Sequence, residues 1–244
     1  MKIATFNMQQ ARRSRESWSA ILEATDPDIL LAQESLSPEQ CQRPLPEVTW
    51  SDKVVRVPVE GQNWGSSVYI KSQSFRQLDL PGFHGWVVGV ELENHPLGLT
   101  GNRVRVFSLH APTIEGQQYH TIVWEILTML QHHRDGCDVV IGGDFNLTVS
   151  KRHETEERMN KSVNLEIQAR LRDQFKLINC WKAKHPRIPL VQTLRWERDP
   201  IPPYHCDGIF VPDSWASRLK SCEVLTEEKW VGLSDHNPVV AEFN

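Results

Sequence analysis

The sequence predicts an α/β sandwich, two mainly antiparallel sheets packed face to face with helices outside them. Three observations carry that expectation. Short apolar runs of strand length recur along nearly the whole chain, separated by Gly, Pro and Asn breaks. Few stretches show helical periodicity. No repeat, linker or low-complexity tract interrupts the 244 residues, so a single domain over 1–244 is expected.

The elements read in order. Residues 3–7 form a short strand, and Ser14 caps a helix carrying Trp18, Ile21 and Leu22 at i, i+3, i+4 until Asp26-Pro27-Asp28 stops it. Ile29-Leu30-Leu31-Ala32-Gln33-Glu34 is a nearly continuous apolar run ending in a carboxylate, as expected of a strand buried on both faces. Residues 35–53 read as loop or short helix, followed by strand-like runs at 54–59, 66–72, 86–92 and 103–109. A helix over 119–133 places Ile122, Ile126, Met129 and Leu130 on one face, with Gly136 as its end signal. Residues 138–144 form a second buried strand. A charged stretch at 151–162 precedes an amphipathic helix with Ile167, Leu171 and Phe175 every four residues. A Pro-rich segment (Pro186, Pro189, Pro200, Pro202, Pro203) leads to strands at 208–211 and 238–243.

Composition excludes whole classes. With 39% hydrophobic and 24% charged residues the chain is neither disordered nor collagen-like, and no apolar stretch approaches the roughly 20 residues of a membrane span. Five widely spaced cysteines (Cys41, Cys137, Cys180, Cys206, Cys222), with no Cys-x-x-Cys pair, argue against a disulfide framework and a structural zinc site; all five read as buried small hydrophobes. The opening residues read as strand rather than as a secretory leader. A reduced, cytoplasmic protein, monomeric, is the expectation. The net charge is −4, and four acids expected in one pocket (Glu34, Asp144, Asp207, Asp235) account for it, so the rest of the surface does not repel a polyanion.

Three polar clusters sit at ends of apolar strands: Glu34, Asp144-Phe145-Asn146, and Asp235-His236. Asp144 and Asn146, two apart, would project from one face of an extended backbone while Phe145 turns into the core. Gly142-Gly143 before them permits close packing or an unusual turn. Asp, Glu and Asn, without cysteine or paired histidines at zinc spacing, suit a hard cation: Mg²⁺, with Mn²⁺ as the alternative. A histidine beside such carboxylates gains basicity and can act as an acid or transition-state donor. Taken singly, each cluster is more commonly a turn or a surface group.

Together, and in this order, they resemble the endonuclease/exonuclease/phosphatase superfamily over nearly the whole chain. The matching stretches are Thr5-Phe6-Asn7, Leu31-Ala32-Gln33-Glu34, Ser108-Leu109-His110, Gly143-Asp144-Phe145-Asn146, Asp207-Gly208-Ile209-Phe210-Val211 and Ser234-Asp235-His236-Asn237-Pro238. The resemblance implies a four-layered α/β sandwich with an active site at one end of the two sheets. It implies Glu34 as main metal ligand with Asn7 and Asp235 nearby, and Asp144 orienting or deprotonating the attacking water. It further implies Asn146 on a phosphate oxygen, and His236 facing the scissile phosphate with Asp207 fixing its ring.

His110, in His110-Ala111-Pro112, looks like the deoxyribonuclease and sphingomyelinase pattern of two histidines about the phosphate, and otherwise reads as a strand-end histidine bonded to a carbonyl. Abasic endonucleases are expected to carry a different polar set at this strand end, and no counterpart to the pancreatic enzymes' second acidic ligand stands near Gly65-Ser66-Ser67-Val68-Tyr69, so neither subfamily fits closely. Among nine tryptophans, Trp18 and Trp124 are expected in the core; Trp196 stacks on a base or sugar or simply packs, and Arg195 beside it joins it as a substrate-binding candidate. Lys151-Arg152-His153 could touch a phosphate backbone, but Glu154, Glu156 and Glu157 favour a solvated mixed-charge face. The expected function is a metal-dependent phosphoesterase, foremost a nuclease with nucleic acid as partner. The alternatives are a phosphomonoesterase or small-molecule phosphodiesterase, and, in another class, a catalytically silent binding protein.

Overall fold

Alternation of side chains along the strands decides the layering. In the computed structural model, which describes residues 1–10, 14–38, 52–93, 103–195 and 204–244 (backbone only at 14 and 15), the elements run in chain order β1 (Lys2–Asn7), α1 (Ser14–Thr25), β2 (Ile29–Ser35), β3 (Val54–Pro58), β4 (Gly65–Ile70), β5 (Phe75–Gln77), β6 (Val87–Leu92), β7 (Val104–His110), α2 (Tyr119–His132), β8 (Asp138–Asp144), α3 (Ser162–Asp173), β9 (Leu177–Asn179), α4 (Cys180–Lys184), β10 (Asp207–Pro212), β11 (Leu219–Val224), α5 (Glu228–Val231) and β12 (Val239–Phe243). They form two six-stranded sheets, ordered β11-β12-β1-β2-β4-β3 and β5-β6-β7-β8-β10-β9.

The two sheets repeat one plan. Each has a single parallel pair at its centre, β1/β2 and β7/β8, and antiparallel pairs elsewhere. A parallel pair cannot be closed by a hairpin, and each is joined by a helix, α1 or α2. Between the sheets lies one apolar cluster containing Ile3, Leu31, Val68, Val90, Val106, Val140 and Ile209. The opposite faces of the same strands pack on helices. Trp18, Ile21 and Leu22 of α1 meet Ala4, Phe6, Leu30 and Ala32; Ile122, Ile126 and Leu130 of α2, with Ile167 and Leu171 of α3, meet Phe107, Leu109, Val139 and Ile141. The order of layers is helix, sheet, sheet, helix.

Several expectations need correction. Trp124 is 43% exposed rather than in the core. It stands two residues from Ile122, far round the helix from the apolar stripe, and lies under the Arg170 guanidinium at 4.2 Å. The short strands β5, β9 and β11 were not anticipated. The described cysteines, Cys137, Cys180, Cys206 and Cys222, are free and buried. Cys41, most of the 35–53 segment, and Pro200, Pro202 and Pro203 lie outside the described residues. Among the described residues, no helix is long and apolar enough to cross a membrane.

Candidate active site

Followed toward one end of the sandwich, the residues between the sheets change from apolar to polar or ionisable. The series are Ile3, Thr5, Asn7 on β1; Ile29, Leu31, Gln33 on β2; Val106, Ser108, His110 on β7; Val140, Gly142, Asp144 on β8; and Val211, Ile209, Asp207 on β10. The middle layer joins the sheets. Thr5 Oγ1 donates to Gln33 Oε1 at 3.2 Å, Gln33 Nε2 to Ser108 Oγ at 2.9 Å, and Ser108 Oγ to the Ala32 carbonyl at 3.1 Å. Bonded polar groups of this kind rigidify the floor beneath the charged layer.

Glu34 reaches that layer through a break in alternation. Regular pleating would put it on the helix side with Leu30 and Ala32. Instead the β2–β4 register shifts between Ala32 and Ser35, and Glu34 has φ +50°, a conformation uncommon for a non-glycine residue. The bulge turns its carboxylate inward. Asn7 Nδ2 donates to Glu34 Oε1 and to Asp144 Oδ2, both at 3.0 Å, so one buried amide spaces two carboxylates from different sheets.

Asp144 needs no bulge but does need glycine before it. Gly143 has φ +142°, and a Cβ there would stand 1.9 Å from the Leu109 carbonyl oxygen. Asp144 pairs in register with His110 on one side and Asp207 on the other. Phe145 then enters the core, as expected, but Asn146 does not continue an extended strand: it has φ +52°, and its backbone N–H donates to Asp144 Oδ1 at 2.8 Å. The turn, rather than alternation, brings Asn146 to the cleft, where its Nδ2 donates to the Ala111 carbonyl at 2.8 Å.

The Ser234–Asp235–His236 turn closes the site from before β12. Ser234 Oγ donates to the Asn7 carbonyl at 2.7 Å and accepts the His236 N–H at 3.0 Å. His236 Nδ1 donates to Asp207 Oδ2 at 2.9 Å, while its Nε2 stands 3.7 Å from Asp144 Oδ2 and 3.9 Å from Asp235 Oδ1. Burial alone would lower the His236 pKa; Asp207, Asp144 and Asp235 overcome it and raise it to about 10, an imidazolium at neutral pH. Burial also raises the Glu34 carboxyl, and raises Asp144 to about 6 against the opposing pull of His236.

His110 has a different environment. Its Nε2 lies 3.4 Å from Glu34 Oε1 and 3.8 Å from Asp144 Oδ2, but its ring packs against Trp86 at 5.0 Å and Trp64 at 6.3 Å. Burial lowers its pKa more than the nearby acids raise it. Sequence reasoning missed both tryptophans. Each stands directly before a strand (Gly65 opens β4, Val87 opens β6), at the strand end that faces the site.

The cleft so formed holds about 620 Å³ and is lined by Glu34, His110, Asp144, Asn146, Asp235, His236 and Arg195, with Trp64, Trp86, Gln9, Gln10, Thr113, Tyr119 and Leu194. Asn7 and Asp207 lie just beneath. Arg195 spends its guanidinium on its own walls: it donates to Asn237 Oδ1 and to the carbonyls of Ser234, His236 and Trp230. Trp196 lies outside the described residues.

Among the described residues, one group of side chains already converges closely enough to hold a cation. Asp144, Asp207 and His236 offer atoms within 4.8 Å of one another, but the His236–Asp207 hydrogen bond already occupies the facing atoms. Glu34, Asp144 and Asp235 bring three carboxylates to the lining of the cleft, and burial raises the pKa of the first two. That set fits a hard divalent ion.

No family model matches the chain, and no curated protein matches it in sequence. Solved structures do. An AP endonuclease from Archaeoglobus fulgidus superposes with TM-score 0.70 at 18% identity, over 100% of this chain and 99% of that one. The 3′ phosphatase NExo from Neisseria, solved with a product DNA hairpin, gives 0.70 and 18% over 100% and 99%. The Xenopus laevis APE2 catalytic domain gives 0.73 and 17% over 100% and 91%. At such identities the likeness speaks for architecture: the chain has the fold shared by AP endonucleases and by a Bacteroides vulgatus protein described as an endonuclease/exonuclease/phosphatase.

Proposed function

We propose that the chain is a divalent-metal-dependent phosphoesterase, with phosphodiesters of nucleic acid as its foremost substrate. The observation that carries this is the convergence of Glu34, Asp144, His110 and His236 on one cleft from two sheets and a terminal turn. The neighbours of like fold are described as an AP endonuclease, a 3′ phosphatase and a 3′–5′ exonuclease, which supports the reaction class.

Glu34, Asp144 and Asp235 would hold the ion, Mg²⁺ or Mn²⁺, with Asn7 holding the first two carboxylates apart; Asn7 Oδ1 accepts the Gln9 N–H at 3.0 Å. When bound, the ion would neutralise charge growing on the phosphoryl oxygens. Asp144 orients the attacking water and takes its proton. His236 donates from Nε2 to a phosphoryl oxygen while Asp207 holds Nδ1. Asn146 keeps one amide N–H for the same group, the other being spent on Ala111. Arg195 positions the 234–237 turn. A small phosphate ester is the second reading, because the cleft volume falls in the range of small-molecule sites and two tryptophans wall it.

The test is hydrolysis of DNA, RNA, a bis-aryl phosphodiester and inositol phosphates, each with Mg²⁺ or Mn²⁺ and with chelator. Chelator should abolish activity, and His236→Ala should lose at least ~10² in rate while remaining folded. Wild-type rates in that variant would refute the reading, and cleavage of the small esters alone would move it to the second one.

A further inference from the structure

A second cavity, of about 320 Å³, opens between α3, β9 and α4 and shares no lining residue with the cleft. Three cationic side chains line it: Lys151 from the segment after β8, Arg172 from α3 and Lys182 from α4. No carboxylate lines it among the described residues. Their acidic partners lie outside the cavity, Glu157 at 3.6 Å from Lys151 and Asp173 at 2.7 Å from Arg172, in exposed pairs that contribute little. Lys182 has no ion-pair partner among the described residues; burial lowers its pKa, and the charge of Lys151 lowers it further.

The wall supplies the second observation. Ser150 is 1% exposed and lines the cavity, yet its Oγ has no hydrogen-bond partner. Buried hydroxyls are rarely left so. The neighbouring amides are committed and hold the wall still: Asn179 Nδ2 donates to the Val149 carbonyl at 3.2 Å, and Gln168 Nε2 to the Thr148 carbonyl at 3.2 Å. Leu177 and Phe210 give an apolar base.

We propose that this cavity is a binding site for a phosphate group, which the lysines and Arg172 would neutralise and to which Ser150 Oγ would donate. Charge-assisted bonds of this kind are the strong ones. The phosphate could belong to a free mononucleotide or to the backbone of a strand that extends past the cleft. The proposal is independent of the phosphoesterase reading.

Calorimetry in chelator, where no hydrolysis occurs, tests it with three probes: inorganic phosphate, adenosine 5′-monophosphate and a single-stranded oligodeoxynucleotide. Saturable binding that falls at least tenfold in Lys151→Ala/Lys182→Ala supports the site. Binding of the two small probes identifies a free ligand, and binding of the oligonucleotide alone identifies a strand. Ser150→Ala should melt at the same or a higher temperature without ligand, since it removes an unbonded hydroxyl, and should bind at least tenfold more weakly. No binding of any probe, or wild-type affinity in both variants, overturns the proposal.

Discussion

Glu91 on β6 and Asp144 at the end of β8 belong to the same sheet and are buried alike, 2% and 1% exposed, yet their chemistry is opposite. Glu91 stands in register with Arg105, whose Nε donates to it at 2.7 Å, with Arg76 and Arg103 at 2.9 and 3.0 Å. Burial would raise its pKa, but those arginines outweigh burial and hold it below the usual carboxylate range. Asp144 accepts hydrogen bonds from Asn7 Nδ2 and the Asn146 backbone and faces two histidines, and burial leaves it near 6. Depth does not distinguish a structural acid from a reactive one; the partners do. One end of the sheet is neutralised within the fold, and the other is left short of positive charge, as a site for a cation and a phosphoryl group requires.

Paired substitutions break that comparison most sharply. Asp144→Asn is expected to cost at least ~10² in phosphodiester cleavage while the unfolding midpoint in denaturant stays level or rises. Glu91→Gln is expected to do the reverse: on the order of 3 kcal/mol lost from unfolding free energy, because buried Arg105 loses its buried carboxylate partner and keeps only the exposed Asp135, and unchanged kcat per folded molecule. Similar stability losses in both variants would dissolve the distinction.

A smaller effect lies in pH. The Asp144 pKa is raised on folding from its unfolded value of about 3.9, so its contribution to stability is fully present below that value and lost as pH rises through about 6. Glu91 is depressed, so its contribution is present above the unfolded value of about 4.3 and lost as pH falls through its lower folded value. Between pH 7 and 5, acidification should therefore stabilise wild type relative to Asp144→Asn. Below pH 4.5 wild type should lose stability relative to Glu91→Gln. Parallel curves across both windows would contradict these assignments.

Much of this was legible in the sequence, for physical reasons. The strands about Leu31 and Val140 are apolar on both faces because helices cover the outside of each sheet. Polar residues at the ends of such strands, Glu34 and Asp144 above all, had nowhere to go but the rim. What escaped depended on local geometry or on other segments. The left-handed turn at Glu34 leaves no mark in its side chain. The three residues of β5 and of β9 are too few to show a period. Trp64 and Trp86 come together with His110 only through pairing of distant strands. The place of Arg195 within the 234–237 turn could not be read from its neighbours in sequence, whereas the exposure of Trp124 could have been, from its angle to Ile122 and Ile126.

The account rests on Glu34, Asp144 and Asp235 being the acids that share a divalent ion, with the His236–Asp207 pair beside it. Anomalous diffraction from crystals soaked in Mn²⁺ reads this directly. The account predicts a peak in the cleft bounded by oxygens of those three acids, with the Nδ1–Oδ2 hydrogen bond of His236 and Asp207 intact. A peak ligated by His236 and Asp207, or none in the cleft at saturating Mn²⁺, would contradict it.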